Sequence, residues 1–163
     1  MRNYTGGILP CSGNDKETES VLAISYEDCY SSCSGPSYVG KNVFTDNVPE
    51  ASYNQIWIGN MGTAPQKLRI TFSCNLMTVN SVTMRNSVVL CSYCNTKDFE
   101  IKVREPNSSQ WKPFVAGTLT DPSGQNPPPL ETFTGSQVVI EEMEFTCLSY
   151  YTTYCGLNYI GFA

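Results

Sequence analysis

Leu68-Arg69-Ile70-Thr71-Phe72-Ser73-Cys74 alternates apolar and polar residues without a break. Successive side chains of a strand point to opposite faces. Leu68, Ile70, Phe72 and Cys74 therefore share one face, and Arg69, Thr71 and Ser73 the other. The same period recurs downstream. From Asp98 to Glu105, the residues Phe99, Ile101 and Val103 turn inward and Glu100, Lys102 and Arg104 outward. From Met143 onward, Met143, Phe145 and Cys147 oppose Glu144 and Thr146. One apolar face and one polar face mark half-buried antiparallel strands. Shorter runs at 21–25, 55–59, 81–86, 111–115 and 158–162 are further strand candidates.

The connections between these runs are rich in turn residues. Asp121-Pro122-Ser123-Gly124-Gln125-Asn126-Pro127-Pro128-Pro129 cannot continue a strand, because proline lacks an N–H donor and fixes φ. It reads as a long surface loop. There is no internal repeat, coiled coil or extended amphipathic helix. Short strands separated by turn signals predict an all-β fold, an antiparallel β-sandwich. Residues 1–20 read as an N-terminal extension and 21–163 as one domain.

The chain has 163 residues, a single-domain length. At this size folding buries roughly 70% of the unfolded surface, so a real core is available. Apolar residues make up 40% and charged residues 15%, a globular composition. No apolar run approaches the ~18 residues that span a bilayer, and no charged-then-apolar leader follows Met1. There is no histidine. That removes Ser-His-Asp and Cys-His nucleophile systems and any zinc site using imidazole. Ten Lys and Arg against fifteen Asp and Glu leave a net charge of −5, without a basic run. Nucleic acid is therefore not an expected partner. Glu142 and Glu144 share one strand face while Glu141 opposes them. Glycoside hydrolysis needs two carboxyls flanking a cleft, so these three read as a solvated face. The chain is expected not to be an enzyme.

Eight cysteines stand at 11, 29, 33, 74, 91, 94, 147 and 155. An even set, with glycosylation sequons at Asn3-Tyr4-Thr5 and Asn107-Ser108-Ser109, points to an oxidising extracellular setting. The close pairs Cys29/Cys33 and Cys91/Cys94 have three readings: structural disulfides, four thiolates on zinc, or a redox dithiol at Cys91-Ser92-Tyr93-Cys94. The distance between the pairs exceeds that of ordinary zinc ribbons, and no helix pattern follows Cys94 to activate a thiol. Disulfides are therefore expected. A Cys147–Cys155 bridge would close a short loop in which Tyr150, Tyr151 and Tyr154 form a packed corner. Trp57 and Trp111, both inside strand patterns, read as core residues.

Several segments, in order, resemble the discoidin or coagulation-factor type C domain family of the galactose-binding jelly-roll superfamily. They are Asn42-Val43-Phe44-Thr45-Asp46-Asn47 and Ile56-Trp57-Ile58-Gly59, then Leu68 to Phe72. Val82 to Ser87 with Thr96 to Ile101 is the nearest stretch. Ser109-Gln110-Trp111, Gly117-Thr118-Leu119 and Leu130-Glu131-Thr132-Phe133 continue it, and Tyr150-Tyr151 with Cys155 to Ile160 close it. The resemblance covers about Val21 to Phe162 and implies a disulfide-stapled discoidin-like jelly roll. Some relatives hold a structural calcium. Here the resemblance allows calcium at Asp46 and Asn47 with nearby backbone carbonyls, although Tyr159 stands where a late glutamate would be expected. The histidine of fucose-binding relatives is missing, and no cysteine follows Cys155.

In this family, ligands meet loops at one end of the sandwich. The resemblance makes 29–40 the first loop, 47–55 the second and 88–95 the third. Disulfides within each cysteine pair, or between Cys29/Cys33 and Cys91/Cys94, would stiffen that rim and lower the ordering cost of binding. Tyr30, Tyr38, Tyr53 and Tyr93 lie in these loops, each offering a flat apolar face and a hydroxyl. The expected function is that of a secreted or cell-surface binding module, a lectin-like domain recognising carbohydrate. The competing expectation is a protein-interaction, cell-adhesion or structural extracellular module using the same loops. Tyrosines in place of exposed leucine or tryptophan spikes, on an acidic chain, argue against anionic lipid.

Overall fold

The computed structural model describes residues 22–33, 38–46, 52–60, 63–72, 77–87 and 91–163. Asn3, Cys11, Asn47 and Cys74 lie outside them, as does the proposed N-terminal extension. The described strands are β1 (Leu22–Glu27), β2 (Trp57–Ile58), β3 (Gln66–Phe72), β4 (Met77–Arg85) and β5 (Asp98–Arg104). They continue as β6 (Trp111–Thr118), β7 (Glu131–Ile140), β8 (Glu142–Cys147), β9 (Gly156–Leu157) and β10 (Tyr159–Phe162). Short 3-10 turns at Tyr30–Cys33, Gly40–Phe44 and Tyr53–Gln55 are the only helical elements among the described residues.

A five-stranded sheet in the order β1-β3-β8-β5-β6 packs against a three-stranded sheet, β10-β4-β7, and β2 pairs with β9 as a short ribbon. All strand pairings are antiparallel. This is the disulfide-stapled, discoidin-like sandwich that the alternation and the resemblance imply. The register explains why the alternating runs lie side by side. Phe145 is flanked by Leu68 on β3 and Ile101 on β5, and Met143 by Ile70 and Val103. All six side chains are buried in one core. Phe145 meets Trp57 edge-on at 5.9 Å and stacks with Phe99 at 6.0 Å, and Phe99 meets Phe133 edge-on at 4.8 Å.

β7 is the longest strand and has no clean signature in the sequence. Its partners show why. Val138 pairs with Val79 and Thr134 with Ser81, so Gly135-Ser136-Gln137 bulges opposite Asn80 alone. The bulge breaks the two-residue phase that marks a strand. Gly135 has a second role. A Cβ there would lie 2.6 Å from the Phe114 ring, and a Cβ on Gly117 would lie 2.7 Å from Phe133. The glycines of edge strands β6 and β7 thus each receive a phenylalanine from the other strand, which closes one side of the sandwich.

The outer face of the five-stranded sheet corrects two expectations. Trp111 is not in the core. It lies on this outer face beneath the Arg69 guanidinium, 5.1 Å from the ring centre, and Arg69 also covers Tyr26 at 5.7 Å. The glutamates are not simply solvated. The Glu144 side chain is only 6% exposed and accepts from Lys67 Nζ at 2.9 Å and Arg69 Nη2 at 2.6 Å. Glu142 accepts from Arg104 and Thr71. No catalytic cleft separates these carboxylates, because in register they face Arg69, Lys102, Thr71 and Arg104 on the neighbouring strands.

Strand direction decides what lies at each end. The connections spanning 28–65, 86–97, 119–130 and 148–158 all leave from one end. The opposite end carries the turn at 105–110, the β7–β8 turn, the start of β1 and the end of β10.

Glu144 yields a pH-dependent test. Burial pushes its carboxyl up, but the hydrogen bonds and charges of Arg69 and Lys67 outweigh this and hold it below the ordinary value. A lowered folded value means stabilisation that is present above the unfolded value of about 4.3 and lost as pH falls through the folded one. Glu144→Gln should cost about 2 kcal/mol at pH 7, with the gap to the parent shrinking below about pH 4. Urea melts at both pH values test this; an equal gap at both would refute it.

Candidate functional site

The loop end is organised around tyrosine rings. Tyr53 and Tyr38 lie 5.2 Å apart, Tyr38 and Tyr30 5.4 Å, and Tyr30 and Tyr154 6.2 Å. Tyr30, Tyr38 and Tyr154 pack on a second small core of Ile56, Ile58 and Cys94. Segments far apart in sequence are therefore brought together by a row of rings that contact largely edge to face, a favourable aromatic geometry.

Local chemistry fixes each ring. Tyr53 sits in a 3-10 turn capped by Ser52, whose Oγ accepts from Asn54 N while Gln55 Oε1 accepts from Ser52 N. Tyr38 has a left-handed backbone, φ +66°, uncommon for a bulky residue. Hydrogen bonds on both sides enforce it: its N–H donates to Tyr53 O and its carbonyl accepts from Ile58 N, each at 3.1 Å. Burial, and then the neighbouring Tyr53 and Tyr30, push the Tyr38 hydroxyl pKa up. It stays protonated, able to donate, at neutral pH. Tyr93 stands at the tip of the Cys91–Cys94 turn, where its carbonyl accepts from Tyr154 N at 2.8 Å.

Among the described residues every cysteine is paired: Cys29–Cys33, Cys91–Cys94 and Cys147–Cys155, with Cα separations of 5.3, 5.3 and 6.1 Å. The first two close within their own loops. Glu27, Cys29 and Cys33 place their donor atoms within 4.8 Å of one another. The two sulfurs are bonded to each other, so no thiolates remain there for zinc. Asp46, the described member of the pair suggested for calcium, is engaged by the protein. One of its oxygens accepts from Arg85 Nη1. Arg85, 8% exposed, also donates through Nε to Pro128 O at 3.3 Å. A guanidinium fixed in this way faces one oxygen of Asp46.

The four sequence-selected tyrosines divide into two kinds. Tyr53 and Tyr93 are 46% and 60% exposed. Tyr30 and Tyr38 are partly covered and link the row to the small core. Tyr154 departs from the packed-corner reading and joins the row. Tyr150 does pack on the main core, and Tyr151 donates to Leu119 O at 2.6 Å, with Lys97 over its ring. A sequence signal for Tyr154 did exist. Cys29-Tyr30, Tyr93-Cys94 and Tyr154-Cys155 each place a tyrosine beside a cysteine.

No family model matches the chain, and no curated protein does. Solved structures do resemble it. CpGH89CBM32-5 from Clostridium perfringens, solved with GalNAc-β-1,3-galactose, has a TM-score of 0.64 at 13% identity and covers 86% of this chain and 92% of its own. Chitosan-binding module 1 from the chitosanase/glucanase of Paenibacillus sp. IK-5 has a TM-score of 0.60 at 12% identity, covering 88% and 94%. The F5/8 type C domain of a Bacteroides fragilis protein has a TM-score of 0.62 at 15% identity, covering 86% and 88%. The chain thus has the discoidin-like fold shared by family 32 carbohydrate-binding modules and F5/8 type C domains.

The cystines should differ in what they stabilise. Cys147 and Cys155 are fully buried in the main core and span 8 residues, against 4 and 3 for the loop pairs. Chain entropy gives roughly 1.5–2.5 kcal/mol for rings this short, with more for the longer one. Calorimetry should show a larger loss of Tm for Cys147→Ala/Cys155→Ala than for Cys91→Ala/Cys94→Ala. The reverse order would contradict the packing described.

Proposed function

We propose that this chain is a non-catalytic, extracellular carbohydrate-binding module that meets its glycan at the tyrosine end of the sandwich. One observation carries the reading. Tyrosines from separate loops converge at a single end, held by cystines within two of those loops, and Tyr53 and Tyr93 present large exposed rings there. A flat ring suits stacking on the apolar face of a sugar, and hydroxyls suit its polar rim. Rigid loops lose little freedom when they bind. The similarity to structures described as carbohydrate-binding modules supports the same reading.

The disulfides fit an oxidising, extracellular compartment. Asn107 fits it as an N-glycosylation acceptor. It is exposed, in left-handed backbone at φ +60°, in the β5–β6 turn. That turn lies at the end of the sandwich away from the tyrosines, so a glycan there would leave them open.

Two measurements test these proposals. Titration calorimetry with a ligand selected on a glycan array should show about a tenfold loss of affinity for Tyr53→Ala and for Tyr93→Ala, with the β fold retained by circular dichroism. Undiminished binding by the double variant would refute the site. Secretion from eukaryotic cells should give a glycosidase-sensitive mass increase on the Asn107 peptide that Asn107→Gln abolishes. An unmodified peptide would refute the acceptor.

A further inference from the structure

The glycan-binding reading, on which this inference rests, leaves the charge of the ligand open, and the distribution of charge along the chain bears on it. Residues 29–40, 47–55, 88–95 and 150–156 contain no lysine or arginine, and Glu50 is their only acidic residue. The described carboxylates nearest these loops are already engaged. Glu27 accepts from Gly40 N, and Asp28 accepts from Tyr26 Oη and Lys67 N. Near Tyr151, Asp98 accepts from Thr118 and Ser149, Glu131 from Thr120, and Asp121 from Ser123 N. Asp46 is held by Arg85. Lys97 is drawn over Tyr151. Much of the remaining charge is paired on the outer face of the five-stranded sheet, through Lys67, Arg69 and Arg104 with Glu141, Glu142 and Glu144. The described residues of the four named segments offer rings, hydroxyls and amides.

From this we infer that the site takes an uncharged glycan. A carboxylate or sulfate entering this end would lose hydration and meet the negative faces of tyrosine rings, with no guanidinium or ammonium in the loops to replace water. An amino-sugar cation would find ring faces but no carboxylate of the described loops free to pair with it. Sugar hydroxyls need only neutral donors and acceptors. Outside the loops, Lys41, exposed in the turn Gly40–Phe44, lies toward Glu27, and Lys97 lies over the Tyr151 ring.

The test presents the whole chain with three sets of oligosaccharides: uncharged, acidic (sialylated, sulfated or uronate) and cationic (chitosan). The affinity of the tightest ligand is then measured at low and at high salt. The expected result is binding confined to the uncharged set, with affinity changing less than about twofold between the two salts. A tightest ligand from the acidic or cationic set, or a tenfold salt dependence, would overturn the inference and leave glycan binding standing. Silence from all three sets would overturn both.

Discussion

Trp57 is the point on which the loop end turns. Its ring is wholly buried against Phe145 at the centre of the five-stranded sheet, and its Nε1 donates to Asp28 O at 2.9 Å. A single side chain thus ties the main core to the place where β1 runs into the first cystine loop. The next strand residue, Ile58, donates its N–H to Tyr38 O, and the Ile56 carbonyl accepts from Asn42 Nδ2. The loops inherit their position from the core through this short segment.

A sandwich with all its long connections at one end must satisfy many backbone groups without a sheet. Here buried amides and hydroxyls do so. Asn86 Nδ2 donates to Thr96 O and its Oδ1 accepts from Thr96 N, while Thr96 Oγ1 donates to Gly156 O. Asn158 Nδ2 donates to Gln55 O, linking the segment before β10 to the Tyr53 turn. Above this polar belt, cystines and tyrosine rings take over from hydrogen-bonded strands. The described result is irregular backbone pinned at several points, suited to presenting exposed rings.

How much of this was legible in the sequence depended on local regularity. β3, β5 and β8 declare themselves through unbroken alternation, because each has one face in the core and one outside. β7 did not, since its bulge at Gly135 throws Phe133 and Val138 out of phase. Trp111 was misread because a strand pattern does not say which face is buried. Only the register with Arg104 and the overlying Arg69 place it outside. The resemblance points to the tyrosine loops, but the division between exposed and supporting rings depends on contacts between residues 8 to 124 positions apart, which no local pattern encodes.

The most direct measurement of the central claim is an amide chemical-shift titration of the labelled chain with a bound oligosaccharide. Perturbations should concentrate at Tyr30–Cys33, 38–46, 52–60, 91–95 and 150–156, with both sheet faces silent. Shifts centred on Tyr26, Arg69 and Trp111, with the tyrosine end unmoved, would place recognition on the sheet and contradict it.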